Sequence, residues 1–226
     1  MKHDSDQPAS KVASKGKGGG EAPVFTVDTG SMFAENIERH FESLFEEYTT
    51  RPTTYLEIGV MEGKSAVLML DNILTHPESR LRAVDPWDSM PKVEATARRN
   101  LEGYGVRVHV HKGTMRSALK EKAWREGEVD IAYHDGGKAA ADVLEASVLI
   151  WPLLKDGGIL IWDDYLWKAE ECGNKTVSIN PSVGIDAFLK CIDGRYSVLF
   201  SNWQLAVRKT LPENKGEADG ISAARS

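Results

Sequence analysis

Along the chain, segments with the pattern of apolar residues typical of β-strands alternate with segments that have the helical spacing. Short apolar runs bounded by glycine or proline, such as TTYLEIG, LRAVDP and GGILIWDDY, are typical of buried β-strands. Between them lie segments with the helical spacing of apolar residues, such as KSAVLMLDNIL, KVEATARRNLEGYG and AAADVLEASVLI. Strands that alternate with helices predict βαβ units around a parallel sheet, and therefore an α/β fold.

The remaining segments add elements at both ends of this pattern. SMFAENIERHFESLFEEY predicts one helix over residues 31–48, with an apolar face made of Phe33, Ile37, Phe41, Leu44, Phe45 and Tyr48. VRVHVHKG predicts an edge strand with one apolar face, Val106, Val108 and Val110, and one solvent-exposed face, Arg107, His109 and His111. MRSALKEKAW predicts a helix, and YSVLFSN and WQLAVRK predict two final strands that pair.

Composition restricts the class of protein. The 226 residues are 41% hydrophobic and 27% charged, which is typical of a soluble globular domain. A net charge of −6 argues against nucleic-acid binding, and no apolar stretch approaches the roughly 18 residues of a membrane span. The first 20 residues lack the apolar core of a secretory signal, and Cys172 and Cys191 are expected to be free thiols. We therefore expect a cytoplasmic protein.

The two ends of the chain differ from the middle. Residues 1–24 and 211–226 contain few large apolar side chains and cannot bury enough surface to offset the entropy of ordering. They predict disordered tails on either side of a single domain, residues 25–210.

Ligands of a parallel α/β sheet bind beyond the carboxyl ends of its strands, so strand ends are the place to search. The first strand runs into LEIGVMEGKSAV, where Glu57, Gly59, Gly63 and Ser65 mark a tight turn into a helix. The spacing G-x-x-x-G does not match the dinucleotide fingerprint G-x-G-x-x-G. Asp85, at the end of the second strand, suits a grip on ribose hydroxyls, although it could instead cap a turn.

Carboxylates also end two later strands. Asp135 follows VDIAYH, and Asp163 and Asp164 follow GGILIW. If these strands are neighbours, the three like charges converge, and a cation such as Mg²⁺ would balance them. The alternative is that one aspartate of the pair caps a loop and that no metal binds.

These strand-end motifs resemble those of the class I S-adenosylmethionine-dependent methyltransferases. EIGVMEGKSAV resembles the motif of catechol O-methyltransferase, and VDIAYHDGG through LLKDGGILIWDDYLW resembles the macrocin O-methyltransferase-like group. The resemblance covers about residues 30–209. It implies a three-layer, Rossmann-like sandwich with a seven-stranded, mostly parallel sheet whose last strand, in the hairpin 196–209, is antiparallel.

The resemblance also implies a role for each matching residue. The methionine part of S-adenosylmethionine is assigned to Glu57, Gly59, Gly63 and Ser65, and the ribose to Asp85. The adenine is assigned to Gly113 and Thr114, with Trp87 either packing on the adenine or lying in the core. The metal ligands are Asp135, Asp163 and Asp164.

The stretch YHDGGK departs from the macrocin-like group, which usually has a histidine where this chain has Lys138. Catechol O-methyltransferase uses a lysine at this spacing as its general base, so the resemblance assigns Lys138 and Asp135 to catalysis. The alternative is a solvated lysine at a helix start. His134 should point to the opposite face of its strand, as a packed or capping residue or as a substrate contact.

The sequence therefore predicts methyl transfer from S-adenosylmethionine to a hydroxyl oxygen of a small molecule, with Mg²⁺ as a second cofactor. A metal-independent methyltransferase, a non-catalytic S-adenosylmethionine-binding protein and a Rossmann-type oxidoreductase are the alternatives. Tyr165 and Trp167 are expected to line the acceptor pocket, and the polar segment 167–184 to form a substrate lid. The apolar face of helix 31–48 predicts a homo-oligomer.

Overall fold

The computed structural model describes residues 23–25, 31–121, 124–173 and 177–211. The tails predicted for residues 1–24 and 211–226 lie outside these ranges, except for residues 23, 24 and 211. The side chain of Cys172 also lies outside the described part, and Cys191 is a free, exposed cysteine.

A seven-stranded sheet forms the centre of the structure, with the strand order β3-β2-β1-β4-β5-β7-β6. Strands β1 to β5 pair in parallel, and β7 is antiparallel to both of its neighbours, β5 and β6. The strands are β1 (Thr54–Ile58), β2 (Arg80–Asp85), β3 (Val108–Lys112), β4 (Val129–His134), β5 (Leu154–Trp162), β6 (Tyr196–Ser201) and β7 (Leu205–Lys209). The predicted mostly parallel sheet with an antiparallel final strand is confirmed.

Helices cover both faces of the sheet. They are α1 (Ser31–Arg39), α2 (Lys64–Asn72), α3 (Pro91–Glu102), α4 (Met115–Ala118), α5 (Ala140–Ile150) and α6 (Pro181–Cys191). Successive strand residues face opposite sides, so Tyr55 joins the core under α1, α2 and α3, and Leu56 joins the core under α4, α5 and α6. The result is the predicted three-layer sandwich. None of the described helices is long and apolar enough to cross a membrane.

The single helix predicted for residues 31–48 is wrong in its second half. Helix α1 ends at Arg39, and a π-helical turn (Phe41–Phe45) and a 3₁₀ turn (Glu46–Thr49) follow. The wider turn changes the direction of the apolar face, which buries Phe45 and Tyr48 fully and leaves Phe41 and Leu44 partly exposed against the core.

This burial bears on the predicted homo-oligomer. Phe33, Ile37, Phe45 and Tyr48, the central residues of the apolar face, are buried within the chain itself. The argument from an uncovered apolar face therefore does not hold, and the homo-oligomer stays a prediction without that support.

The edge position of β3 is confirmed, but the strand is shorter than predicted. It begins at Val108, and Val106 lies in a preceding 3₁₀ turn with 93% of its surface exposed. The helix predicted from MRSALKEKAW is also short, because α4 ends at Ala118, whose carbonyl accepts a hydrogen bond from Trp124 Nε1 at 2.8 Å.

Candidate active site

The turn after β1 passes directly against the backbone that follows β4. Gly59 has a φ of +84°, and a Cβ atom at this position would lie 2.0 Å from the carbonyl oxygen of Asp135. The turn is held from both sides, since Gly59 N donates to Val84 O at 2.9 Å and Asp135 N donates to Ile58 O at 2.8 Å. Only glycine allows this approach, which brings the ends of β1 and β4 together.

Asp85 organises the same region from the end of β2. Its Oδ2 accepts hydrogen bonds from Val60 N at 2.7 Å and Met61 N at 3.0 Å, and its Oδ1 accepts one from Trp87 N at 2.7 Å. The turn-capping alternative is therefore observed. Asp85 also lines the neighbouring cavity, so a contact with a ribose stays a prediction.

Trp87 lies in the core and does not line the cavity. It is 1% exposed, and its Nε1 donates to Met61 O at 2.9 Å. Core packing, one of the two roles predicted for Trp87, is observed, and a contact with an adenine stays a prediction. The indole instead braces the turn after β1.

A cavity of about 570 Å³ lies beyond the carboxyl ends of β1, β2, β3 and β4. The predicted site residues in its wall are Gly59, Asp85, Gly113, Thr114 and Asp135. Thr114 also caps α4, because its side chain accepts a hydrogen bond from Ser117 N. The strand-end rule therefore located the cavity correctly.

His134, for which the sequence left packing and a substrate contact both open, lines the cavity. Burial lowers the pKa of its imidazole to about 4, so the ring is neutral at physiological pH. Other cavity residues were missed. Asp142 and Glu145 line it from α5, and Arg116, paired with Glu145 at 2.6 Å, lines it from α4. The spacing of Asp142 and Glu145 could have indicated this position, because two residues three apart in a helix lie on the same face.

Glu57 lies beneath the glycine turn and is fully buried. Its Oε1 accepts a hydrogen bond from Ser65 Oγ at 2.6 Å, and its Oε2 has no partner among the described residues. Burial raises the pKa of Glu57 from 4.5 to about 8. Glu57, Ser65 and Gly63, the residue just before α2, are not among the described residues of the cavity wall. They support the turn from behind.

The raised pKa of Glu57 predicts how stability depends on pH. The folded protein keeps this proton at pH values where the unfolded chain has lost it, so the contribution of Glu57 is most favourable below pH 4.5 and is lost as pH rises to about 8. The free energy of unfolding of the wild type, relative to that of Glu57→Gln, should fall by up to about 1.4 kcal/mol per pH unit as the pH rises through this window. Denaturant titrations from pH 5 to 9 measure it, with the exposed Glu102→Gln as the control. Parallel curves for wild type and Glu57→Gln would contradict the assignment.

Two of the predicted metal ligands meet at one tyrosine. Tyr133 OH donates to Asp163 Oδ2 at 2.7 Å and lies 3.3 Å from Asp135 Oδ2. Burial, together with the nearby charges of Asp163 and Asp164, raises the pKa of Asp135 well above its ordinary value. Asp163 Oδ1 is buried without a partner among the described residues.

Asp164 turns away from this pair. Its φ is +57°, an uncommon conformation for a residue other than glycine. Lys138 Nζ donates to Asp164 Oδ2, and Trp203 Nε1 donates to Asp164 Oδ1 at 3.2 Å. Lys138 also lies 5.1 Å from the centre of the Trp167 ring. Lys138 is therefore paired with a carboxylate and is not an unpartnered, solvated lysine.

The predicted magnesium site is only partly supported by this geometry. Carboxylate oxygens suit Mg²⁺, and Asp163 Oδ1 is buried without a partner among the described residues. In the described ranges, however, no three His, Cys, Asp or Glu side chains are arranged so that they could hold a metal ion. Asp164 is paired with Lys138 instead.

Within the predicted lid, residues 167–184, the described parts are linked by the side chain of Asn180. Asn180 is buried, and its side chain accepts a hydrogen bond from Ala169 N at 2.8 Å and donates one to Glu170 Oε2 at 3.2 Å. Residues 174–176 lie outside the described part. Tyr165, at the start of this region, donates its hydroxyl to Asp186 Oδ1 at 3.0 Å, and its role at an acceptor pocket stays a prediction.

The two histidines of β3 share one partner. Glu121 accepts from His109 Nε2 at 3.0 Å and His111 Nδ1 at 2.5 Å, and His111 Nε2 lies 2.8 Å from Ser117 Oγ. The side chain of His109 is exposed as predicted, and that of His111 is largely buried.

Comparison with known proteins agrees with this architecture. The sequence model of a family described as a methyltransferase domain matches residues 56–165, from β1 to just after β5. A curated relative, an uncharacterized protein of Acanthamoeba polyphaga mimivirus, is 26% identical over 148 residues. The match covers 60% of this chain and 63% of that relative, so the chain spans less than two thirds of its length.

Solved structures share the fold. The O-methyltransferase from Bacillus cereus in complex with SAH superposes with a TM-score of 0.52 at 18% identity, over 81% of this chain and 93% of that one. The MycE methyltransferase from the mycinamycin biosynthetic pathway, in complex with Mg, SAH and mycinamycin VI, gives a TM-score of 0.55 at 17% identity. That match covers 80% of this chain and 51% of MycE.

The strand order and the glycine turn after β1 agree with these matches. Residues 56–165 match a methyltransferase domain, and the chain has the fold of the methyltransferase structures it is similar to.

Proposed function

We propose that the protein transfers a methyl group from S-adenosylmethionine to a hydroxyl oxygen of a small molecule. The observation that carries this proposal is the junction at Asp135. This residue lines the cavity at the ends of β1 to β4 and also belongs to the carboxylate group at the ends of β4 and β5. A cofactor in the cavity and an acceptor beside the carboxylates would therefore meet at one point, and alignment of the two reactants supplies much of the acceleration of such a transfer.

The charge of the cavity wall favours S-adenosylmethionine over a dinucleotide. Asp85, Asp135, Asp142 and Glu145 are acidic, and Arg116, the one lysine or arginine among the described lining residues, is already paired with Glu145. S-adenosylmethionine carries a net positive charge through its sulfonium, whereas the pyrophosphate of NAD is anionic and would be repelled.

On the acceptor side, Asp135, Asp163 and Asp164 are the proposed ligands of a divalent cation. When bound, such a cation would lower the pKa of the acceptor hydroxyl. The three carboxylates would orient it, and Asp164 would exchange its contact with Lys138 for the cation. The Mg in the MycE structure supports this part of the proposal.

Lys138 is the proposed general base. It lies three residues after Asp135 in the chain and contacts Asp164 directly, so it is close to the group of carboxylates that both residues belong to. To take the acceptor proton, Lys138 must be released from Asp164 as a neutral amine, because an ammonium has no lone pair to offer.

A second candidate is a metal-independent methyltransferase or a non-catalytic S-adenosylmethionine-binding protein. The contact between Lys138 and Asp164 favours it, since the ammonium already supplies one of the positive charges that the carboxylates require. The two candidates share the cofactor and differ in their response to a chelator.

Titration calorimetry and a methyl-transfer assay test the proposal. The protein should bind S-adenosylmethionine and SAH but not NAD. It should methylate at least one member of a panel of hydroxylated sugars, phenols and polyketides, and EDTA should abolish that activity. Activity undiminished by EDTA would identify a metal-independent enzyme, and cofactor binding without turnover on any acceptor would favour the non-catalytic alternative. Preferential binding of NAD would contradict the proposal.

Asp85→Ala should weaken S-adenosylmethionine binding by roughly 1.5–3 kcal/mol, because charged hydrogen bonds to the ribose are lost. The variant also leaves Val60, Met61 and Trp87 N–H groups without an acceptor, so binding is measured by calorimetry at a temperature where circular dichroism confirms folding. Asp88→Ala, an exposed residue of the same loop, is the control. Equal affinities for Asp85→Ala and wild type would refute the ribose assignment.

A further inference from the structure

A histidine ring lies among apolar residues at the end of β4. His134 is 4% exposed, and the residues beside it in the sheet are Ile58 of β1 and Trp162 of β5. It shares their face of the sheet, towards α4 and α5, because Ala132, two residues earlier, belongs to the core on that side. Burying a polar ring is costly unless it is hydrogen-bonded, so the contacts of the ring indicate its purpose.

One nitrogen of the ring is already engaged. The His134 ring hydrogen-bonds to the backbone of His134 itself and, within the described residues, to no other side chain. Burial lowers the pKa of the imidazole and this bond opposes the shift, so the ring is the donor, since a donated N–H favours the protonated form. A neutral imidazole has one N–H, and Nδ1 is the nitrogen close enough to its own backbone to give it. Nε2 is therefore left as a hydrogen-bond acceptor.

The glycine at position 136 leaves this acceptor open to the cavity. A Cβ atom at Gly136 would lie 3.5 Å from His134 Nε2 and 3.3 Å from Ile58 Cγ2, so a side chain there would crowd this edge of the ring. His134 and Gly136 both line the cavity. The edge of the ring that carries Nε2 can therefore meet a ligand.

The other polar side chains on the α4 and α5 side of the cavity have different surroundings. Thr114 caps α4, Glu145 is paired with Arg116, and Asp142 is exposed. Among the described lining residues on this side, His134 thus offers a buried acceptor that no protein side chain uses.

The two faces of the sheet separate the two ends of a bound cofactor. Asp135, where the methyl group has to meet the acceptor, lies 3.3 Å from the hydroxyl of Tyr133, whose ring belongs to the core on the opposite face from His134. The His134 side is therefore left for the adenine, whose predicted contacts Gly113 and Thr114 line the same cavity. The 6-amino group of adenine is a hydrogen-bond donor, whereas the oxygen at this position of a 6-oxopurine is an acceptor.

We propose that His134 is a specificity-determining residue that accepts a hydrogen bond from the 6-amino group of adenine through Nε2, so that the cavity selects adenine over a 6-oxopurine. The inference rests on the proposed function, whose cofactor supplies the adenine. The selection is physical, because a 6-oxo group would set two acceptors against each other in a buried site and leave both without a donor.

The test compares SAH with S-inosylhomocysteine, in which an oxygen replaces the 6-amino group, by titration calorimetry. Wild type should bind SAH roughly 10- to 100-fold more tightly, because a buried polar group left without a partner costs that much. His134→Leu removes the acceptor, so it should weaken SAH binding and bring the two Kd values within about threefold of each other.

Two further variants test the acceptor without relying on leucine. The amide of His134→Gln can turn to offer either its oxygen or its NH₂, so this variant should keep much of the affinity for SAH and bind S-inosylhomocysteine more tightly than wild type does. Gly136→Ala keeps the histidine but places a methyl group 3.5 Å from Nε2, so it should weaken SAH binding and reduce the preference.

His40→Leu is the control, because it also removes a partly buried histidine, one that stacks on Phe200 outside the described lining of the cavity. It should leave both Kd values unchanged, and circular dichroism confirms that each variant is folded.

The outcomes separate this inference from the proposed function. Equal Kd values for the two ligands in wild type, or a wild-type preference in the folded His134 and Gly136 variants, would overturn this inference alone. A wild-type protein that binds neither ligand would overturn both. A protein that shows the expected preference but methylates no acceptor would overturn methyl transfer and leave the role of His134 standing.

Discussion

Asp135→Asn should slow methyl transfer by roughly 10³-fold or more and remove its dependence on Mg²⁺. A Lewis-acid cation contributes several kcal/mol to the transition state, and each 1.4 kcal/mol is about tenfold in rate. Asparagine keeps the size of the side chain but not its charge, so the loss would be electrostatic rather than steric. Turnover measured across Mg²⁺ concentrations gives the result.

Two controls accompany this prediction. Asp193→Asn makes the same change at an exposed position and should behave as wild type. Calorimetry must show that Asp135→Asn still binds S-adenosylmethionine, because Asp135 also lines the cofactor cavity. Turnover of Asp135→Asn close to that of wild type would remove Asp135 from the mechanism.

Lys138→Ala should slow the chemical step by roughly 10²–10⁴-fold and leave cofactor binding nearly intact, because a general base typically contributes that much. The structure makes a sharper variant available. Arginine at this position would keep a cation beside Asp164 but could not accept a proton. If Lys138 is the base, Lys138→Arg should be about as slow as Lys138→Ala. If its role is to pair with Asp164, Lys138→Arg should restore most of the activity.

The measurement is single-turnover methyl transfer as a function of pH, with Lys190→Ala, an exposed lysine of α6, as the control. Turnover of Lys138→Ala within about threefold of wild type would contradict both roles, since general-base catalysis normally supplies far more.

The cavity at the ends of β1 to β4 could be predicted because its signals are local. Gly59, Asp85 and Gly113 each end or follow a strand, and the topology of a parallel sheet brings such ends to one edge. Trp87 shows the limit of this reasoning. Its position just after Asp85 left core packing and an adenine contact both open. The direction of its side chain depends on Met61, whose carbonyl accepts the Trp87 Nε1–H from another turn.

The contacts around the carboxylates at the ends of β4 and β5 were less predictable because they join distant parts of the chain. Gln204 hydrogen-bonds to Asn36, 168 residues away, and to Tyr133, 71 residues away. Polar residues at such separations leave no periodic signal, so the buried contacts of Tyr133 could not be foreseen. The contact between Lys138 and Asp164 was missed for a similar reason. It depends on the positive φ of Asp164, and no neighbouring residue in the sequence indicates that conformation.

The position of β7 between β5 and β6 has a consequence for the order in which the protein is assembled. The described residues that line the cavity all lie between residues 58 and 149, so a nascent chain contains them before β7 is made. The contacts around Asp164 and Tyr133 must wait for Trp203 and Gln204, and until β7 emerges, β5 remains an open edge that exposes unpaired backbone groups. The segment from Trp203 to β7 thus closes the sheet and completes the surroundings of the carboxylates in one step.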